Sequence, residues 1–338
     1  MEGKLKELID KSSKILITSH VSPDPDSICS ILLLGLSLQE NFPDKNISMV
    51  SEELPDNLNY LHGFDKILTQ PLNKAVEGKD LIIIVDAMNF GRCTRGDFAT
   101  ISAQVKKNNI PLVIIDHHEQ VGVEDNAAYI NDGYPAAVEQ VYKTCLEDLK
   151  LSKPDGYAEI TMTGLYSDTG GFTYLNGRYR ETLQLVGELI DNGAKIEDAK
   201  TKLYQYSVNQ LKVVSELINN LSHQDDYTYT FLSDSFVDEW ISANKPLDKM
   251  HSATKIFTDN FIRNIEGKTW GFIFYRDTRL GDSMYSISFR SAGGVPNVSE
   301  IASHLAGGGH KAAAGARVEA KNANDAMQKI NEVIVRSL

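Results

Sequence analysis

Three short apolar runs, each ending in carboxylates or imidazoles, constrain this chain more than any other feature. Residues 15–18 run into Ser19-His20 and then Asp24 and Asp26; residues 81–85 run into Asp86; residues 112–115 run into Asp116-His117-His118. Each run is continuous and rich in β-branched residues rather than alternating, as expected of strands buried on both faces of a parallel sheet. Helical apolar spacing appears between them, over 27–40 and 99–107. The order strand–helix–strand predicts an N-terminal α/β domain with a doubly wound, mostly parallel sheet. The strand ends of such a sheet share one edge, where ligands bind. Three strands therefore aim three ligand clusters at one crevice.

Spacing refines the reading. His20, Asp24 and Asp26 form H-x3-D-x-D on a loop, so two carboxylates can face neighbouring ions, and Asp86 at the end of a central strand can bridge them. Oxygen donors mixed with imidazole suit Mn2+, with Mg2+ as the alternative. Two ions about 3.5–4 Å apart would clamp an in-line displacement at phosphorus and acidify a bridging water. Taken singly, each piece has a plainer explanation. Asp86 could cap a helix, and Asp24 and Asp26 beside Pro23 and Pro25 could make a turn. Their joint placement at three strand ends is what favours a site.

With 338 residues, two domains are expected. Helical spacing continues over 136–149, 157–166 and 181–191, and 196–221 reads as a helical connector. Residues 227–232, 270–275 and 284–289 then alternate like strands with one solvated face. A glycine-rich turn at Gly307, Gly308 and Gly309 and a closing helix over 322–336 complete a smaller α/β domain. The expected division is 1–190, a connector over 191–225, and 226–338, with a cleft between the domains suited to a small or terminal phosphorylated group. In the second domain, three successive glycines leave backbone N–H groups open to an anion. His310 and Arg290 could add a hydrogen bond and a bidentate fork; the plainer alternative is a tight turn. Asn89 and Arg92 are further candidate substrate contacts.

The net charge of −12 argues against a long basic track along duplex DNA. It leaves room for a short phosphorylated partner, because bound cations reverse the local sign. Three cysteines without C-x-x-C spacing suggest a reducing compartment. No apolar stretch is long enough for a membrane span, so the expectation is a cytoplasmic protein with no membrane partner.

These motifs resemble those of the DHH phosphoesterases. The matching residues are His20 to Asp26, Asp86, Asp116-His117-His118 and Leu165-Tyr166-Ser167-Asp168-Thr169-Gly170-Gly171. Ser288-Phe289-Arg290-Ser291 and the run from Gly307 to Gly315 resemble the DHH-associated (DHHA1) substrate domain. The pattern is most similar to the nano-RNase and pAp phosphatase group of oligoribonucleases. The resemblance implies that His20, Asp24 and Asp86 hold one Mn2+, and that Asp26, Asp86, His117 and Asp168 hold the other. It implies catalytic roles for Asp86, for His118 beside the scissile phosphate and for Asp116 orienting an imidazole. Arg290, Ser291, Gly307, Gly308, Gly309 and His310 would bind substrate. The expected substrates are short oligoribonucleotides, linear dinucleotides or 3′-phosphoadenosine 5′-phosphate, and a homodimer is allowed. The alternatives are a nucleotide sensor without turnover, a pyrophosphatase or exopolyphosphatase, or a RecJ-like single-strand exonuclease. One departure stands out: Ile28-Cys29-Ser30 occupies the place where the family usually carries Gly-Ser.

Overall fold

The computed structural model describes residues 2–118, 120, 122–175, 178–224, 226–262 and 264–337. They fall into two compact units, Met1–Tyr204 and Gln205–Leu338.

The first unit is built on β1 (Lys14–Thr18), β2 (Asn46–Ser51), β3 (Leu68–Thr69), β4 (Leu81–Val85), β5 (Leu112–Ile115) and β6 (Ala128–Ile130), in the order β3-β2-β1-β4-β5-β6. Every neighbouring pair is parallel. The continuous apolar runs are explained by two separate cores. Ile15, Ile17, Ile83, Val85, Val113 and Ile115 pack on one face, and Leu16, Ile82, Ile84 and Ile114 on the other. The strand order reverses between β1 and β4, which makes a topological switch point. Register sets Thr18 opposite Ile84 and Val85 opposite Ile115. The residues that follow these strands therefore leave the sheet from nearly one level.

The helix Pro25–Asn41 starts two residues before its apolar pattern, because Asp24 caps it and Pro25 occupies its first turn. Residues 136–149 are not one α-helix: Ala137–Val141 passes into a π-helical stretch, Tyr142–Asp148. Nor is 196–221 a single helix. Ile196–Leu203 packs on Tyr157–Asp168 of the first unit, and Val208–Asn219 packs on Leu247–Phe257 of the second. A capping box between Ser207 and Gln210 starts the latter. The S-x-x-Q spacing was a legible start signal there.

The second unit holds β7 (Ser222–His223), β8 (Tyr227–Phe231), β9 (Trp270–Arg276), β10 (Met284–Ser291), β11 (Gly308–His310) and β12 (Ala313–Glu319), in the order β11-β12-β10-β9-β8-β7. Only β8 and β9 pair in parallel. β8 and β10 alternate as expected, but β9 is buried on both faces. It is a central strand, with Trp270, Phe272 and Phe274 in one core and Ile273 and Tyr275 in another.

The glycine-rich segment also differs from expectation. Gly308–His310 forms an edge strand against β12 rather than a free turn. A Cβ on Gly307 would lie 2.1 Å from the Gly315 carbonyl oxygen, and one on Gly309 (φ +146°) 2.6 Å from that of Ala313. These two glycines let β11 lie against β12, whereas Gly308 faces open space.

Candidate metal centre

The ends of β1, β4 and β5 bring their side chains into one cluster. His20 follows β1; its Nε2 lies 3.3 Å from Asp86 Oδ2 and 3.8 Å from Asp24 Oδ1. Asp86 follows β4 with φ +56°, a left-handed conformation that costs energy for most side chains and less for Asp or Asn. Its backbone N–H is fixed on the Ile115 carbonyl at 2.9 Å. Strain of this kind, held by surrounding structure, gathers at functional sites. Asp86 Oδ1 lies 3.4 Å from His117 Nε2, which in turn lies 3.1 Å from Asp168 Oδ2. Asp168 comes from the last residue of the helix Tyr157–Asp168.

Three carboxylates also hold backbone in place. Asp24 Oδ1 accepts from the Ser27 N–H at 3.1 Å. Fully buried Asp26 accepts from the N–H groups of Ala137 and Val138, at 2.6 and 2.9 Å. It thereby caps a helix whose own N-cap residue, Ala136, has no side-chain acceptor. Asp116 Oδ1 accepts from His118 Nδ1 at 2.8 Å and from the His117 N–H at 2.8 Å.

Donor atoms within 4.8 Å of one another form three groups among the described residues: His20, Asp24 and Asp86; Asp26, His117 and Asp168; and Asp86, Asp116, His117 and His118. Asp86 is shared by the first and third, and His117 by the second and third. The six metal-ligand candidates read from the sequence thus meet at the switch point, together with Asp116 and His118.

The charge balance of this cluster suits a cation. Burial, with repulsion from Asp168 and Asp86, pushes the Asp26 carboxyl well above the usual range. Burial and the Asp24 and Asp86 carboxylates push Asp168 up to about 7 against the pull of His117. Asp86 goes the other way: burial would raise it, but the adjacent His117 and His20 imidazoles hold it below the usual range. Burial opposes charge on His20 and His117 as well, yet the surrounding carboxylates raise both. Among the described residues, Asp86 Oδ1 and Asp116 Oδ2 are buried without a hydrogen-bond partner, a costly state unless an ion or water satisfies them. Hard oxygen donors with imidazole nitrogen fit a divalent cation of the Mn2+ or Mg2+ type.

The second-unit candidates are placed differently from a simple phosphate grip. Arg290 on β10 donates from Nε and Nη2 to Asp259 Oδ1, at 2.8 and 2.7 Å, and from Nη1 to the Phe289 carbonyl at 2.8 Å. Asp259, on the π-helical turn Thr258–Ile262, was not singled out by the sequence, since nothing local marks an acid 31 residues from its arginine. Ser291 is 1% exposed, with its hydroxyl on the Lys311 carbonyl and its N–H on that of Ala312. It therefore ties the end of β10 to the turn between β11 and β12 instead of facing solvent. His310 is exposed on the edge strand. In the first unit, Asn89 caps the short helix Phe90–Cys93 by accepting from the Arg92 N–H.

The DHH family N-terminal domain matches residues 14–165, and the DHHA1 domain matches residues 247–336. A DHH-family N-terminal domain and a DHHA1 domain are both present. The chain is 26% identical to the bifunctional oligoribonuclease and PAP phosphatase NrnA of Bacillus subtilis (strain 168), over 94% of this chain and 93% of the relative. It is 28% identical to the protein of the same description from Mycoplasma pneumoniae, over 93% and 90%. Among solved structures, an exopolyphosphatase-related protein from Bacteroides fragilis superposes with a TM-score of 0.79 at 25% identity, covering 99% of this chain and 94% of that one.

Within this DHH chain, the departure at Cys29 has a structural counterpart. A Cβ on Gly164 would lie 3.0 Å from Cys29 Cβ, 2.9 Å from Val138 Cγ1 and 3.2 Å from Asp26 Oδ1. The close helix approach is thus supplied from the facing helix Tyr157–Asp168, by a glycine the sequence reading passed over.

Proposed function

We propose that this hydrolase cleaves the phosphoester bonds of short oligoribonucleotides, linear dinucleotides and 3′-phosphoadenosine 5′-phosphate, using a pair of Mn2+ ions. The observation that carries the reading is Asp86, a strained, buried carboxylate shared between two groups of ligand atoms at the sheet's switch point. The printed descriptions of the NrnA relatives, matched over more than nine-tenths of this chain, support the substrate class.

In this reading His20, Asp24 and Asp86 hold one ion, and Asp26, Asp86, His117 and Asp168 the other. When bound, such ions polarise a phosphoryl oxygen and acidify water. The chain's own residues do the positioning. Asp26 accepts two backbone N–H bonds, so its oxygens are preset. Asp86 is held by its fixed backbone. His117 is almost enclosed, with a side chain 6% exposed, whereas that of His118 is 24% exposed. The accessible imidazole is the one that would meet substrate. With Nδ1 bonded to Asp116, the His118 ring is held in orientation, and its Nε2 would face a phosphoryl oxygen as charge develops there. Arg290, its guanidinium fixed by Asp259, would contact a neighbouring phosphate.

Among the described residues no helix is long and apolar enough to cross a membrane, and all three cysteines are free and buried. Both observations support work in the cytoplasm.

The test is a competition panel of pAp, pGpG, short RNA, pyrophosphate and polyphosphate in manganese, run on the wild type and on Asp86→Asn. Asparagine tolerates the positive φ that alanine would strain. Preferred turnover of the nucleotides, lost in the variant, is the expected result. Full activity in Asp86→Asn, or preference for polyphosphate, would sink the proposal. Arg290→Ala should raise KM more than it lowers kcat, and an unchanged KM removes Arg290 from the substrate site.

A further inference from the structure

One face of the second sheet carries an arginine that the proposed function leaves unused. In β10, Tyr285, Ile287 and Phe289 lie in the core, so Ser286, Ser288 and Arg290 take the opposite face. Pairing extends that face across β12 and β11, because directly opposed residues share a face. Ser286 stands opposite Arg317, Ser288 opposite Gly315, and Arg290 opposite Ala313; Gly315 and Ala313 in turn stand opposite Gly308 and His310. Arg317 therefore lies on the same face as Arg290, displaced by four residues along the strands, about 13 Å.

The two arginines differ in what holds them. Arg290 is fixed on Asp259 and on the Phe289 carbonyl. Arg317 is exposed and, among the described residues, makes no hydrogen bond or ion pair. The carboxylate that Ser286 reaches, Asp277 at 3.0 Å, is already engaged by Arg279 Nε and Nη2 at 2.8 and 2.6 Å. Arg317 thus presents an open fork and an uncompensated positive charge, suited to a phosphate.

The floor between the arginines is bare. A Cβ on Gly308 would meet nothing within 4 Å, and one on Gly315 only the Ile287 carbonyl oxygen at 3.7 Å. Neither glycine has a positive φ. Unlike Gly307 and Gly309, they are required neither by backbone conformation nor by packing within the chain, and glycine in a strand suits the close approach of a ligand. Beyond Arg317 the strip ends in a carboxylate: Glu319 is the next residue on that face and is exposed, so it would repel a further phosphate.

We propose that Arg317 holds a phosphate further along the strand than the one met by Arg290, so that this face reads the length of a short oligoribonucleotide. With Arg290 fixed on Asp259, one phosphate cannot touch both side chains; two phosphates of one strand can. The inference rests on the proposed action on short oligoribonucleotides and names the residue that sets their preferred length.

The experiment is fluorescence anisotropy of the full chain in excess chelator, so that binding is read without turnover. The probes are 5′-phosphorylated, 3′-labelled oligoadenylates of two to five nucleotides. Affinity should rise from two to four nucleotides and then level off. Arg317→Ala should lose about tenfold more affinity for the tetranucleotide than for the dinucleotide. Its slope of log affinity against log salt should shrink by about 0.7 for the longer strands, the share of one phosphate on a single strand. Arg317→Lys should recover that slope, and Arg290→Ala should weaken every length alike. A tetranucleotide that binds Arg317→Ala as tightly as the wild type overturns the proposal. So does an equal loss at every length, or no binding at any length. A chain that reads length without hydrolysing these strands refutes the proposed function and keeps this inference; hydrolysis without the length difference does the reverse.

Discussion

Asp116 and His118 are joined carboxylate to ring: Asp116 Oδ1 accepts from His118 Nδ1 at 2.8 Å, while the same oxygen also receives the backbone N–H groups of His117 and His118 at 2.8 and 3.3 Å. One oxygen thus orients the more accessible imidazole and braces the backbone that carries its neighbour. Asp116→Asn retains an acceptor oxygen for these donors but weakens the carboxylate bond that orients the ring. We expect kcat to fall about 10–100-fold, as for other partners that orient a functional histidine, with bound metal and unfolding midpoint nearly unchanged. Steady-state kinetics at saturating manganese is the measurement. A kcat within a factor of two of wild type would show that the pair has no part in turnover.

Asp26 and Asp86 sit in the same cluster but differ in what depends on them. Removing Asp26 leaves the buried N–H groups of Ala137 and Val138 without their acceptor. Asp26→Ala should therefore cost about 2–4 kcal/mol of stability in chelated protein, in addition to activity. Among the described residues the Asp86 side chain accepts no backbone bond that secures another element, and asparagine keeps its left-handed backbone. Asp86→Asn should abolish turnover at a cost under about 1 kcal/mol. Urea unfolding of both variants in excess chelator separates the two roles; equal destabilisation would contradict the capping role of Asp26.

This contrast also marks how far the sequence could be read. The strands that deliver His20, Asp86 and Asp116 were legible, because residues buried on both faces of a parallel sheet must be continuously apolar and end where polar ligands begin. That Asp26 caps a helix 111 residues away was not legible, since no local pattern reports a long-range cap. β12 escaped notice for a related reason. Its Ala-Ala-Gly-Ala start has little strand propensity and is held by pairing with β10 and by the close approach of Gly307 and Gly309. Ser291 is a substrate-binding candidate by its motif, which is visible in the sequence, whereas its burial is not.

The contact between Cys29 and Gly164 makes a prediction about packing beside the metal centre. A methyl group at 164 would press on Cys29, Val138 and an oxygen of Asp26. In a close-packed core, overpacking of this kind costs about 1–3 kcal/mol. Gly164→Ala should lose that much stability. Cys29→Gly should also destabilise, through lost helix propensity and lost contacts. The double variant should be less destabilised than the sum of the two, because the second change makes room for the first. Denaturant unfolding of the four proteins measures the coupling; strict additivity would mean that Cys29 does not limit the approach of the two helices.

Glu139 supplies a pH dependence that is separate from the metal ligands. Its side chain is fully buried and receives the Thr182 hydroxyl at 3.2 and 3.0 Å. Burial pushes its carboxyl from 4.5 up to about 7, opposed by the Thr182 bond and the charges of Lys143 and Arg178 and assisted by that of Glu181. Between these two values the folded chain keeps a proton that the unfolded chain has shed. The contribution of Glu139 to stability is therefore highest at and below about 4.5 and declines as the pH rises to about 7. Above that, the buried carboxylate is a net burden of up to about 3 kcal/mol. Glu139→Gln keeps the shape and the bond to Thr182 without the ionisation. It should match the wild type at the acid end of the window and exceed its stability above neutrality by up to about 3 kcal/mol. Urea midpoints across that range test the sign directly. A glutamine variant that is less stable than wild type in mild alkali would mean that the ionised carboxylate is welcome in the fold.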